Sequence, residues 1–227
     1  MSAPPGAQVS IVDYGGSNIL SVARALRHCG ADVVLADTAA AIESAARLVL
    51  PGVGAFGDVQ ASLARRDLVA PLQSFAKTGK PFLGICVGMQ LMMDYSEEFG
   101  RHPGLGLIPG GVKPIPAAGV DGIPHRIPHV GWQELSAAEQ GRPWLGSVLD
   151  GMKQHDAVYF VHSFAAEPEE ECHRLADCQY DGVRISAAVA RGAMVGCQFH
   201  PEKSGQVGLR ILTNFVMTDG SRGGEIG

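Results

Sequence analysis

The sequence predicts an α/β protein: a three-layer, doubly wound and mostly parallel central sheet flanked by helices, with a small antiparallel edge. Three observations carry this. Short apolar runs at 9–13, 32–36 and 47–50 alternate with stretches of helical spacing, the pattern of parallel strands joined by right-handed crossovers. A strand passes straight into a helix around Cys86. Near the C-terminus, β-prone runs are separated only by Asp181-Gly182 and Arg191-Gly192, which read as hairpin turns.

Taken in order, 9–13 is a strand closed by Tyr14-Gly15-Gly16-Ser17, and 18–29 has helical spacing (Ile19, Val22, Ala23, Leu26) ending at Gly30. A strand at 32–36 follows, then a short helix through Ser44 capped by Thr38, then a strand at 47–50 stopped by Pro51. Helical patterns cover 59–65 and 68–77. A strand opened by Pro81 leads to Cys86, and a helix is expected from Met89 through Met93. The 94–128 stretch is rich in glycine and proline, which predicts loops and short edge strands covering one rim, with room for a lid. The run 157–164 is strongly β-prone and is expected to be a central strand. Strands at 174–180, 184–190 and 193–199 and a helix at 205–217 complete the chain, with a frayed tail from 218.

The 227 residues are expected to form one domain, with a core at about 8–217. Hydrophobic residues make up 46% and charged residues 18%, a globular composition. The net charge of -5 and the lack of a basic run argue against nucleic acid as a partner. No segment approaches about 18 uninterrupted apolar residues, and residues 1–8 lack a basic start and an apolar stretch, so a cytosolic protein without a membrane segment is expected. The five cysteines are an odd number without regular spacing, so reduced thiols are expected. Cys172, His173 and Cys178 match no zinc spacing, and no metal is expected.

Gly84-Ile85-Cys86-Val87-Gly88 between strand and helix has the form of a nucleophile elbow with cysteine at its tip. The flanking glycines let strand and helix converge, and a helix N-terminus there would favour a thiolate. A lone cysteine is more often buried filler, so the decision rests on Gln198-Phe199-His200-Pro201-Glu202. In an extended segment His200 and Glu202 face the same side, the spacing of a base and its orienting carboxylate. A Cys86–His200–Glu202 triad would attack a carbonyl and need N–H donors for the oxyanion. Val87 offers one, and the loop of Gly52, Val53 and Gly54 offers another. That loop also contains a literal GxGxxG (Gly52, Gly54, Gly57). The acidic residue of a dinucleotide site, about 20 positions on, is missing because the next strand ends at Cys86.

On the elbow around Cys86, the Pro51–Gly54 loop and His200-Pro201-Glu202, the chain resembles the triad-type (class I) glutamine amidotransferases, with their flavodoxin-like fold. Asp13-Tyr14-Gly15 with Asn18, the run 51–58, Gly88-Met89-Gln90, Gly131-Trp132 and the run 198–204 are similar, more narrowly, to the glutaminase subunits of imidazole glycerol phosphate synthase. Met89 stands where relatives that make anthranilate or carbamoyl phosphate have His. The resemblance spans about 8–217. It implies that Gly52, Gln90, Glu98, Ser163 and Phe164 bind glutamine, and that Asn18, Trp132, Gln133 and Lys203 lie at a partner interface. It also implies cofactor-free hydrolysis of glutamine, with ammonia delivered to a (β/α)8-barrel cyclase subunit in a heterodimer of histidine biosynthesis. Val87 replaces the usual Leu, Gln133 the Asn after the Trp, and Phe164 a common Tyr; Val87 acts through its N–H, and Phe164 keeps its backbone groups. Two other readings remain open on the residues alone: a free-standing cysteine hydrolase of γ-glutamyl compounds, and a non-catalytic nucleotide-binding module using Gly52, Gly54 and Gly57.

Overall fold

A computed structural model describes residues 7–16, 18–141, 143–153 and 155–218. The first half alternates as expected: β1 (Ala7–Val12), α1 (Ile19–His28), β2 (Ala31–Ala36), α2 (Ala39–Ser44), β3 (Leu48–Gly52), α3 (Phe56–Arg65), α4 (Val69–Ala76) and β4 (Phe82–Cys86). Thr38 caps α2, its hydroxyl accepting the Ala41 N–H at 3.3 Å. A single helical turn, α5 (Val87–Gln90), follows β4. Then come the short strands β5 (Tyr95–Ser96) and β6 (His102–Pro103), β7 (Gly110–Pro114), β8 (His129–Glu134) and β9 (Ser136–Ala137). The chain continues through β10 (Ala157–His162), β11 (Phe164–Pro168), β12 (Arg174–Tyr180), β13 (Val183–Arg191), β14 (Met194–Cys197) and α6 (Gly205–Met217).

Among the described residues the main sheet has the order β2-β1-β3-β4-β14-β13-β12-β9. The first five strands are parallel, in the 2-1-3-4 sequence of a flavodoxin-like sheet, with β14 as the fifth. The rest of the sheet is antiparallel. The β12–β13 turn is Asp181-Gly182, both at positive φ (47° and 78°), as a two-residue hairpin requires. β3 and β4 are buried along their whole length, because helices cover both faces of a parallel sheet. α1 packs with α6 and α2 with α4, while α6 also reaches β1. The core runs from Val9 and Ile11 through Leu48, Leu50 and Phe82 to Phe199 and Phe215, all at most 2% exposed.

Two expectations need correction. The 157–164 run is not a central strand. β10 ends at His162 and pairs antiparallel with β8 in a separate two-stranded sheet. Its burial alternates, with Val158, Phe160 and His162 inside, so only one face meets the core, whereas a central parallel strand is covered on both. The helix expected through Met93 stops at Gln90, and backbone N–H groups of 105–108 bond the carbonyls of Leu91, Met92 and Met93 instead. The glycine-rich stretch builds part of a second sheet, β11-β7-β5-β6, beside the end of β4. Most of the tail expected to fray, 219–227, lies outside the described residues.

Candidate active site

Three parallel strands end side by side, and the crevice at their carboxyl ends is where open α/β sheets bind ligands. β4 ends at Cys86, β3 at Gly52, which is the Cα partner of Cys86, and β14 just before His200. Cys86 has φ 54° and ψ -114°. A non-glycine residue held there stores about 1–3 kcal/mol of strain, so its surroundings must fix it. A Cβ on Gly84 would lie 2.6 Å from the Gly88 carbonyl oxygen, and one on Gly88 would lie 1.8 Å from that of Leu50. Strand, turn and helix therefore touch backbone to backbone, and the elbow glycines are required by contact. Because α5 is one turn long, it offers free N–H groups but not the dipole of a long helix.

The charge beside Cys86 comes from His200. Its Nδ1 is 2.9 Å from Glu202 Oε1, with the two side chains 3% and 1% exposed. Cys86 and the imidazole line the same cavity, and the thiol acts on the ring's charge. Burial alone would favour the neutral ring, but the interactions with Cys86 and Glu202 outweigh it and raise His200 to about 9. The segment is pinned to β10: the His200 N–H donates to the Tyr159 carbonyl (2.9 Å), and the Ser204 hydroxyl donates to the His200 carbonyl (2.7 Å) while accepting the Tyr159 N–H (3.0 Å).

A cavity of about 350 Å³ opens over Cys86 and His200. Val53, Gly54, Val87, Gln90, Glu98, Ser163 and Phe164 line it, as do Pro128, Val161 and His162. Gly52 lies beneath, where a Cβ would meet the Gly88 nitrogen at 2.5 Å. Gln90 Nε2 donates to the Phe164 carbonyl (3.0 Å) and to Gln198 Oε1 (3.1 Å). Glu98 Oε2 accepts the Phe56 N–H at 2.6 Å, tying the second sheet to the start of α3. Gln198 was not singled out for a role from sequence, yet its Nε2 donates to Cys86 Sγ at 3.8 Å. It is two residues before His200, so the same-face spacing that paired His200 with Glu202 would have found it.

The residues expected at an interface lie outside the cavity lining. Trp132 is 55% exposed on β8, edge-on to Tyr159, in an exposed apolar group with Val130 (54%) and Val161 (37%). Gln133 is half-buried beside Trp132, Lys203 is exposed next to Glu202, and Asn18 precedes α1 without a side-chain capping bond. All five cysteines are free, and burial pushes Cys29 and Cys197 up and Cys178 up to about 12, which leaves Cys172 as the exposed one. Glu170, Cys172 and His173 bring possible metal-ligating atoms within 4.8 Å of one another, and a Cys172–Glu170 hydrogen bond of 3.4 Å accounts for part of that proximity.

Residues 10–218 match the family model described as glutamine amidotransferase class-I. The chain is 53% identical over 208 residues to imidazole glycerol phosphate synthase subunit HisH 1 of Legionella pneumophila (strain Lens), covering 92% of this chain and 98% of that one. It is 43% identical over 215 residues to the HisH subunit of Geobacillus kaustophilus (strain HTA426), covering 95% and 99%. Among solved structures, PurLQS from Thermotoga maritima matches in fold, with a TM-score of 0.68 at 19% identity over 92% of this chain and 96% of that one. On the family match and these near full-length identities, the chain belongs to the class-I glutamine amidotransferases, in the branch of the imidazole glycerol phosphate synthase HisH subunits.

Proposed function

We propose that this chain hydrolyses glutamine at Cys86 and delivers the ammonia to a cyclase subunit that makes imidazole glycerol phosphate and aminoimidazole carboxamide ribonucleotide in histidine biosynthesis. The observation that carries the chemistry is a strained elbow cysteine sharing its cavity with an imidazole that Glu202 holds at 2.9 Å. Cys86 Sγ attacks the side-chain amide carbon of glutamine, and the oxyanion takes N–H bonds from Val87 and from the Val53–Gly54 loop. His200 passes a proton to the nitrogen, the C–N bond breaks, and ammonia leaves a thioester. Water, deprotonated by His200, attacks the thioester, and glutamate and the free thiol result. Glu202 keeps the ring oriented and stabilises the imidazolium. These steps balance without metal or organic cofactor. Gly52, Gln90, Glu98, Ser163 and Phe164 form the glutamine site around the cavity.

Residues 8–217 act as one domain, since α6 returns to pack on β1. The partner is a (β/α)8 barrel that docks in a heterodimer on the face carrying Trp132, Gln133, Lys203 and Asn18, where exposed apolar residues gather beside the cavity. Among the described residues no helix is long and apolar enough to cross a membrane, in keeping with a cytoplasmic pair. Gly54 has φ 92° with open space around its Cα, so the loop peptide has room to turn its N–H toward or away from the oxyanion. Losing one such donor costs about 10² to 10³ in rate, enough to keep the lone subunit nearly idle. Glutamine hydrolysis is to be compared for the chain alone, with empty cyclase, and with cyclase bound to a non-reactive substrate analogue. It should rise steeply in the last case. Equal, fast rates in all three would make this a free-standing hydrolase.

A further inference from the structure

His162 lines the proposed glutamine pocket and His129 meets it from outside the lining, two buried histidines that the chemistry above does not use. His129 opens β8 and His162 ends β10, and the two are Cα partners across that ladder. They are 0% and 6% exposed. His129 Nδ1 is 2.9 Å from His162 Nε2, and His162 Nδ1 is 2.9 Å from the Phe164 carbonyl oxygen. The His129 ring is stacked between Phe160 and Tyr180, with centroids 5.0 and 4.1 Å away.

We propose that His129 and His162 form a relay of fixed tautomers that positions the Ser163–Phe164 corner of the glutamine site. The proton positions follow from the partners. A carbonyl only accepts, so His162 Nδ1 carries the hydrogen. The other nitrogen of a neutral imidazole is then an acceptor, and the hydrogen between the rings comes from His129 Nδ1. His129 Nε2 is left bare, and that atom is buried with no hydrogen-bond partner among the described residues. A buried lone pair is tolerated better than a buried orphan N–H, so one arrangement satisfies the whole cluster. Both rings are neutral. Burial, helped by the nearby charge of His200, lowers His162 to about 3 against the opposing bond to Phe164. Burial and His125 lower His129 to about 4 against Asp181.

The relay reaches the nucleophile. The Phe164 carbonyl takes a hydrogen bond from His162 on one side and from Gln90 on the other. Gln90 gives its second hydrogen to Gln198, whose own amide faces Cys86 Sγ. These bonds link the corner of the pocket and the thiol in one network. His129 and His162 are positioning residues, acting through the Phe164 carbonyl.

The proposal rests on the cavity being the glutamine site, so its test has one part that needs no catalysis. Nitrogen-15 spectra of the intact chain at neutral pH should show both rings as Nδ1–H tautomers. An Nε2–H tautomer on either ring would overturn the relay. The second part uses the complex with its cyclase. His129→Phe keeps the stacked ring and removes the donor, so KM for glutamine should rise about fivefold to tenfold, the effect of one buried hydrogen bond, with the change falling on KM rather than kcat. His129→Asn gives up the stacking but places an amide donor near the position of Nδ1, and it should restore most of the affinity. The opposite order, with His129→Phe like the parent and His129→Asn impaired, would mean that the ring matters only as packing. A parent complex with no glutaminase activity would refute the proposed function, while the tautomers would still decide the relay.

Discussion

Substituting Gly88 by alanine is the sharpest probe of how the elbow is held. The new Cβ would sit 1.8 Å from the Leu50 carbonyl oxygen and 2.9 Å from its carbon, both backbone atoms of β3. Close-packed contacts of this kind need about 3.2 Å, so β3 and α5 must part by more than about 1 Å. Overpacking typically costs about 1–3 kcal/mol, and with no flexible side chain to give way the cost should be near about 3 kcal/mol. At about 2–4 °C per kcal/mol for a chain of this size, Tm should fall by about 6–12 °C. α5 carries the Val87 N–H and Gln90, and a misplacement of about 1 Å costs about 10²-fold in rate, so hydrolysis should drop at least that far in the still-folded variant. The assay pairs a thermal melt with glutaminase rates in the activated complex at 25 °C. A Tm within about 2 °C and a rate within about threefold of the parent would refute the reasoning.

Three other outcomes are expected. Glu202→Gln keeps the size of the side chain but loses the charge facing His200, so glutaminase activity should fall by orders of magnitude with little change in folding; a loss under about tenfold would remove Glu202 from the machinery. A glutamine-analogue electrophile should label Cys86 and spare Cys29, Cys178 and Cys197, whose thiols are buried and raised in pKa, and also exposed Cys172, which lacks the elbow; peptide mapping to another thiol would contradict this. The folded pKa of His200, about 9, lies above its ordinary value of 6.5, so its contribution to stability is complete below 6.5 and is lost as pH rises through about 9. Denaturant titrations should show that loss, and Cys86→Ala should flatten it because one of the two partners that raise the pKa is gone. A variant curve parallel to that of the parent would argue against the Cys86–His200 pairing.

Much of this was legible in the sequence because local chemistry wrote it there. The strand-to-helix switch around Gly84, Cys86 and Gly88 left a spacing signal, and the structure adds the backbone contacts behind it. The Asp181-Gly182 hairpin was readable because its turn requires positive φ at two successive residues. β10 was misplaced because a run rich in valine and aromatics looks equally β-prone in a central sheet and in a two-stranded flap. Only its pairing with β8 decides, and that partner lies far away in sequence. The His129–His162 pair was invisible for the same reason: each histidine alone reads as packed or solvated, and the contact exists only through that register. Gln198 could have been found and was not, although it shares the face of His200.

The most direct measurement of the division of labour is synthesis by the full complex carrying Cys86→Ala, run once with glutamine and once with ammonium salt. If Cys86 serves only to release ammonia for a separate cyclase, glutamine-dependent synthesis should vanish and ammonia-dependent synthesis should match the parent. Loss of both activities, or product formed from glutamine without the Cys86 thiol, would contradict it.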